Sequence, residues 1–292
     1  MTIFDEKIGR DKRYEGFINR WGLKKDPFSF ELPSIDSFYP SQQEDIRKMK
    51  QVLSEGKVGV LTGGLGMGKT TLCEFIFSAL REESLFMDNH SRQIIPVFVH
   101  GAAYNSSAEI LRAILLSLEM KVDKGNASLF DVIRRWNQDH QERLVIIIDD
   151  IPETGANVQE IGEFLRVLSD IANISILING EYQQMERFLN KVPALLDRVQ
   201  LRVSLYPMGS ETIKNLLKLR LTSGGCINYD GLLAPDGFEA IYKLSKGVPR
   251  LALKVASRAL HLASSLDVPI DARLVNKANR VSILGRILPF LR

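Results

Sequence analysis

Gly63-Gly64-Leu65-Gly66-Met67-Gly68-Lys69-Thr70 matches every fixed position of the pattern G-x-x-x-x-G-K-[ST]. Before it, Val58–Thr62 is a short apolar run with strand character, and after it Leu72, Phe75, Ile76 and Leu80 recur at helical spacing. The motif therefore lies on a strand-to-helix turn, the context in which it is specific. Glycines admit backbone conformations closed to other residues, so successive N–H groups can converge on a phosphate at the positive end of the following helix. A glycine-rich turn with a solvated lysine is the plainer alternative, and the flanking strand and helix weigh against it.

The same alternation continues on both sides. Ser41 and Glu44 form a capping box ahead of Ile46, Met49, Val52 and Leu53, an amphipathic helix from Ser41 to Gly56. Further apolar runs at Ile94–Val99, Leu144–Ile148, Ile174–Ile178 and Leu201–Leu205 read as buried strands. Helical segments around Ser107–Met120, Leu129–His140 and Gln159–Ala172 separate them. Strands spaced by helices imply an α/β fold, a parallel sheet covered on both faces. After Pro207 the strands stop, and Glu211–Thr222, Pro235–Lys246 and Pro249–Leu266 read as a smaller helical bundle. The expected organisation is an arm and linker helix over 1–56, a P-loop core over 57–206, a helical lid over 207–268 and a tail over 269–292.

Bulk composition permits this and excludes little else. With 292 residues, 45% hydrophobic and 25% charged, the chain can bury one large core and a smaller second one. A net charge of +3 allows contact with nucleic acid without requiring it. Cys73 and Cys226 are too few and too far apart for a disulfide framework, so a reducing, cytoplasmic setting is expected. Residues 1–20 mix acids and bases with no signal-like apolar run, and no stretch is long enough to cross a bilayer.

A nucleotide site needs more than the loop. Lys69 is placed to neutralise β- and γ-phosphates, and the Thr70 hydroxyl to ligate Mg²⁺, so ATP with Mg²⁺ is the expected cofactor. An acid for the metal should leave the end of a neighbouring strand, and Leu144–Ile148 runs directly into Asp149-Asp150. Asp149 is the expected metal partner, while Asp150 stands where a carboxylate would polarise the attacking water. The alternative for this pair is a strand end before the turn at Ile151-Pro152.

Landmarks spread over Trp21 to Ser265 resemble the ExeA-like branch of AAA+ ATPases, which includes secretion ATPases and transposition regulators of the TnsC and MuB kind. They are Trp21-Gly22-Leu23-Lys24-Lys25-Asp26-Pro27-Phe28, Phe38-Tyr39-Pro40-Ser41, the P-loop ending Lys69-Thr70-Thr71-Leu72-Cys73, the Asp149-Asp150 strand and Gly247-Val248-Pro249-Arg250. The resemblance implies an AAA+ core with a helical lid, assembling into a ring or filament with ATP between neighbours. It also implies roles at matching positions. Asn179 looks like sensor 1, orienting water against the γ-phosphate, although Asn179-Gly180 is equally a turn signal. Arg250 looks like sensor 2, completing with Gly63 to Thr71 the nucleotide-contacting set; Pro249 suits a first helical turn there. Arg198, with Arg202 second, is the candidate arginine finger offered to the next subunit. Relatives usually read Asp-Glu where this chain reads Asp149-Asp150, which points to slow hydrolysis.

The tail from Ala272 carries Arg273, Lys277, Arg280, Arg286 and Arg292, no acids, and interleaved Ile283, Leu284, Ile287, Leu288, Phe290 and Leu291. It reads either as a terminal helix packed on the lid or as a segment that docks a partner or touches phosphates. Phe17, Trp21 and Phe28 are expected to pack on the core rather than stack on bases. Two functions follow from the resemblance. One is a TnsC-like regulator that polymerises with ATP on double-stranded DNA, independently of sequence, and recruits transposase and target-selection proteins. The other is an ExeA-like secretion ATPase or STAND-like signalling switch with protein partners only. The chain is expected to lack the membrane helix or peptidoglycan-binding module of the secretion proteins, which favours the first.

Overall fold

A computed structural model describes residues 3–29, 43–86, 93–120, 129–151 and 157–287. Ser41 of the expected capping box, the landmark Phe38-Tyr39-Pro40-Ser41, Pro152, Leu288, Phe290, Leu291 and Arg292 lie outside these residues.

Five strands, β1 (Val58–Gly63), β2 (Ile94–His100), β3 (Arg143–Asp149), β4 (Ile174–Gly180) and β5 (Val199–Leu205), form one parallel sheet. The order is β2-β3-β4-β1-β5. Position in that order explains the sequence pattern. Every residue of β1 and β4 is buried, as is β3 after Arg143, whereas β2 and β5, each with a single neighbour, are only partly covered. Continuous apolar runs are what two covered faces demand.

The two faces are filled by different helices. Leu61, Leu177 and Val203 meet Ile46 and Met49 of α2 (Gln43–Ser54) and Leu72 and Ile76 of α3 (Lys69–Phe86). Val60, Ile146, Ile148, Ile176 and Ile178, one residue out of phase, point the other way. They pack with α4 (Ser107–Ser117), α5 (Leu129–Asp139), α6 (Val158–Ser169), α7 (Tyr182–Lys191) and α8 (Pro193–Leu196).

The second unit is helical and is built from both ends of the chain. Contacts group Gln42–Tyr206 as one unit, and Met1–Ser41 with Pro207–Arg292 as the other. The segment 1–56 is therefore not one arm. Helix α2 belongs to the sheet, whereas α1 (Ile3–Arg20) belongs with α9 (Ser210–Ser223), α10 (Tyr229–Leu232), α11 (Pro235–Ser245), α12 (Pro249–Leu266) and α13 (Ala272–Ile287). The cause is a shared core. Phe17, Ile18, Leu23 and Phe28 are buried with Leu217, Leu221, Ala256, Leu260, Leu274 and Val275. Phe17 and Phe28 thus pack on the C-terminal helices and not on the sheet, and the tail begins as a helix of the same core.

The Trp21–Phe28 landmark is the joint of this unit. Gly22 and Gly225 both have positive φ, 81° and 94°, and meet backbone to backbone. The Ile227 N–H donates to the Trp21 carbonyl at 3.2 Å. Asp26 accepts from the Phe28 N–H at 2.8 Å and from the Ser257 hydroxyl of α12 at 2.5 Å. Beside it, His261 stacks on Tyr14 with ring centroids 4.2 Å apart.

Candidate nucleotide site

The C-terminal ends of parallel strands are where open α/β sheets bind ligands, because helix N-termini and loop amides gather there. At the end of β1, residues 64–68 form the loop into α3, with Gly66 at φ 79° and Gly68 at φ 91°. Both conformations are closed to residues with a Cβ at acceptable cost, and they turn consecutive N–H groups toward one point. The Lys69 ammonium donates to the Gly63 carbonyl at 3.0 Å, folding back over the loop from the first position of α3. Thr70 and Thr71 follow, both half-buried. Leu65 stands 79% exposed at the tip of the loop. Beneath the loop, the Thr62 and Ser204 hydroxyls bond at 2.9 Å and clamp β1 to β5.

Asp149 ends β3 with only 3% of its surface exposed. Its Oδ1 accepts from Asn179 Nδ2 at 2.5 Å. Its Oδ2 lies 3.6 Å from His100 Nδ1, the residue opposite it in the β2–β3 register. Asn179 is fully buried, and its amide also meets the Cys73 Sγ of α3 at 3.0 Å and the Asp150 N–H at 2.8 Å. The amide orientation follows from these partners. Only an oxygen can meet an N–H, and only the NH₂ can meet a carboxylate. Burial pushes the Cys73 thiol far above its ordinary range, so it packs here as a neutral group.

This geometry changes the reading of Asn179. Both amide hydrogens and the carbonyl oxygen are engaged within the chain, so its side chain holds protein groups in place. The groups it holds are the two carboxylate positions. Asp150 is exposed at φ 51°, a left-handed conformation unusual for aspartate, and is secured on one side by Asn179 Oδ1 and on the other by the Ile151 N–H donating to the Asn179 carbonyl at 3.0 Å. We expect Asn179→Ala to lower nucleotide turnover at least about tenfold, an added barrier of about 1.4 kcal/mol, while nucleotide affinity changes less. Steady-state hydrolysis alongside fluorescent-nucleotide titration would check this, and unaltered turnover would remove the positioning role.

The remaining positions are placed elsewhere. Arg198 precedes β5, at the opposite end of the sheet from the loop, and forks onto Asp170 at 2.7 and 3.1 Å while donating to the Ala194 carbonyl at 2.5 Å. The Arg198 hydrogen bonds hold the Asp170 carboxyl below its usual range. Arg202 pairs with Glu186 of α7 at 2.8 Å. Each finger candidate is thus committed to an intrachain carboxylate and would have to leave it to serve a neighbour. Arg250 is exposed in the first turn of α12, after a turn in which the Met208 N–H donates to the Gly247 carbonyl at 2.8 Å. It belongs to the helical unit. His100 was not singled out from sequence, and Cys73 was read only as a lone cysteine and a P-loop landmark; a histidine closing a strand beside the Asp149 strand was the available signal for the first.

The donor set suits a magnesium nucleotide. Among the described residues no group of three or more His, Cys, Asp or Glu could hold a metal alone. A hydroxyl, one buried carboxylate and ligand phosphates are what Mg²⁺ ordinarily takes.

Comparison with known proteins agrees with this arrangement. Residues 51–189 match the AAA domain family. General secretion pathway protein A of Aeromonas hydrophila is 27% identical over 257 residues, covering 82% of this chain and 43% of that protein. The chain thus spans less than half the length of that relative. Among solved structures, the Aeropyrum pernix ORC2 protein in its ADPNP-ADP complexes superposes with a TM-score of 0.70 at 18% identity, covering 88% of this chain and 72% of that one. The Aeropyrum pernix ORC1 protein in complex with DNA gives 0.67 at 17% identity, covering 86% and 68%. Residues 51–189 are thus similar to the AAA domain family, and the fold is α/β, matching a P-loop AAA+ core followed by a helical C-terminal region.

Proposed function

We propose that the chain binds ATP with Mg²⁺ between β1 and α3 and hydrolyses it slowly, using the nucleotide to assemble with copies of itself on double-stranded DNA. The observation that carries the reading is the complete loop together with the buried Asp149, held by Asn179 and tied through it to α3. Loop amides and Lys69 would grip the phosphates, and Thr70 and Asp149 would hold the metal. Magnesium would neutralise charge building on the phosphates during transfer. Asp150 would orient the attacking water from its left-handed turn, a shorter reach than glutamate allows. Arg250 and a neighbour's Arg198 or Arg202 would read the γ-phosphate.

The finer role is that of a TnsC-like transposition regulator recruiting transposase and target-selection proteins in the cytoplasm. The ORC1 neighbour, solved in complex with DNA, supports DNA as the partner by analogy of fold. A second reading, a secretion ATPase acting on proteins alone, is favoured by the match to General secretion pathway protein A. Among the described residues no helix is long and apolar enough to cross a membrane. Retention on generic duplex at low salt separates the two. We expect retention to require a non-hydrolysable ATP analogue and to fall steeply as salt rises. Retention that does not depend on the analogue would end the transposition reading, and no retention at all would leave the protein-partner reading.

A further inference from the structure

Helix α13 has one face with no obvious use inside the fold. Leu274, Val275 and Ala278 turn inward and are buried in the helical core. Arg273, Asn276, Lys277 and Arg280 occupy the opposite side, all exposed, at the i, i+3, i+4, i+7 spacing that makes a single stripe. Among the described residues none of the three cations makes an ion pair, whereas Arg20, Arg47, Arg166, Arg198 and Arg202 all do. The helix Ala272–Ile287 contains no acidic residue. Its start is capped by Asp271, which accepts from the Leu274 N–H at 2.7 Å.

We propose that this face of α13 is a contact for the phosphate backbone of duplex DNA; it rests on the DNA-binding reading above. From Arg273 to Arg280 the stripe runs about 10 Å along the helix, with one cation or amide at each turn. A double helix presents a negative charge about every 1.7 Å of its axis, so three cations over that length meet phosphates without needing a sequence. Other polyanionic surfaces fit less well. A helix lying in a membrane interface inserts apolar side chains, and Leu274, Val275 and Ala278 of α13 are already spent on the helical core. A protein interface keeps an apolar centre within its polar rim, and between Arg273 and Arg280 the exposed face supplies only a carboxamide and charges.

The test compares the parent with Arg273→Gln/Lys277→Gln/Arg280→Gln, measuring duplex affinity across a salt series. Loss of three phosphate contacts should lower the slope of log affinity against log salt by about 2.7 and weaken binding at fixed salt at least about tenfold. Nucleotide affinity and melting temperature should stay with the parent, because the three side chains are exposed and remote in sequence from the loop. Arg273→Lys/Arg280→Lys, which keeps charge, should retain the parental slope. A parental slope in the triple variant would overturn the assignment of this face while leaving DNA binding intact. Failure of the parent itself to bind duplex would overturn both. Loss of binding to phosphatidylserine vesicles without any duplex binding would give the face to a membrane and overturn the proposal.

Discussion

Lys69→Ala should weaken binding of magnesium nucleotide by roughly 10- to 100-fold, the effect of removing a charge-assisted bond worth about 1.5–3 kcal/mol. In the present geometry the ammonium donates to the carbonyl at the end of β1, Gly63 O at 3.0 Å. That contact is weak and half-exposed, so stability without nucleotide should change by no more than about 0.5 kcal/mol. The separation matters, because a variant that simply unfolded would also fail to bind. Calorimetric titration reads the affinity, and urea unfolding without nucleotide reads the fold. Parental heats from the variant would refute the role of Lys69, and absent heats from the parent would refute the site.

A large effect on stability is expected at Gly22. A Cβ there would stand 2.5 Å from the Gly225 carbonyl oxygen, a backbone atom, and the residue would also have to adopt φ 81°. Neither demand can be met by rotating a side chain. Gly22→Ala should therefore cost about 2–4 kcal/mol and loosen the joint between the N-terminal segment and the C-terminal helices. Gly16, six residues earlier, supplies the control. It is a helical residue of α1 with nothing within 4 Å of a built Cβ, so Gly16→Ala should stabilise by about 0.5–1 kcal/mol. Opposite shifts in the urea midpoint are expected; equal shifts would show that the contact with Gly225 is not what holds the joint.

These cases show what could be read in advance. The strands and the loop were legible because their signals are local: an apolar run, a turn motif and a helix within a few residues of one another. The Asp149–Asp150 pair was legible for the same reason, as the end of Leu144–Ile148. Helix α1 was missed because, among its many charges, the described core residues Phe17 and Ile18, with Tyr14 packed beside them, make a short apolar signal. Helix α7 was missed because its apolar face is only Met185, Phe188 and Leu189. Long-range partners were invisible. Asp170 lies 28 positions from Arg198, and Cys73 lies 106 from Asn179. Nothing near Asn179 in the sequence announces that its amide is fully engaged. The Trp21–Phe28 and Gly247–Arg250 landmarks could be matched to a family, yet the reason for the first, a glycine pair joining the turn after α1 to the turn after α9, exists only in three dimensions.

Because Phe17, Leu23 and Phe28 share a core with Leu260 and Val275, part of their cover comes from residues translated much later. The sheet, whose strands all lie between Val58 and Leu205, holds its own partners sooner and can condense while α12 and α13 are still untranslated. Until then Phe17, Leu23 and Phe28 lack that part of their cover, an interval in which exposed apolar surface favours aggregation.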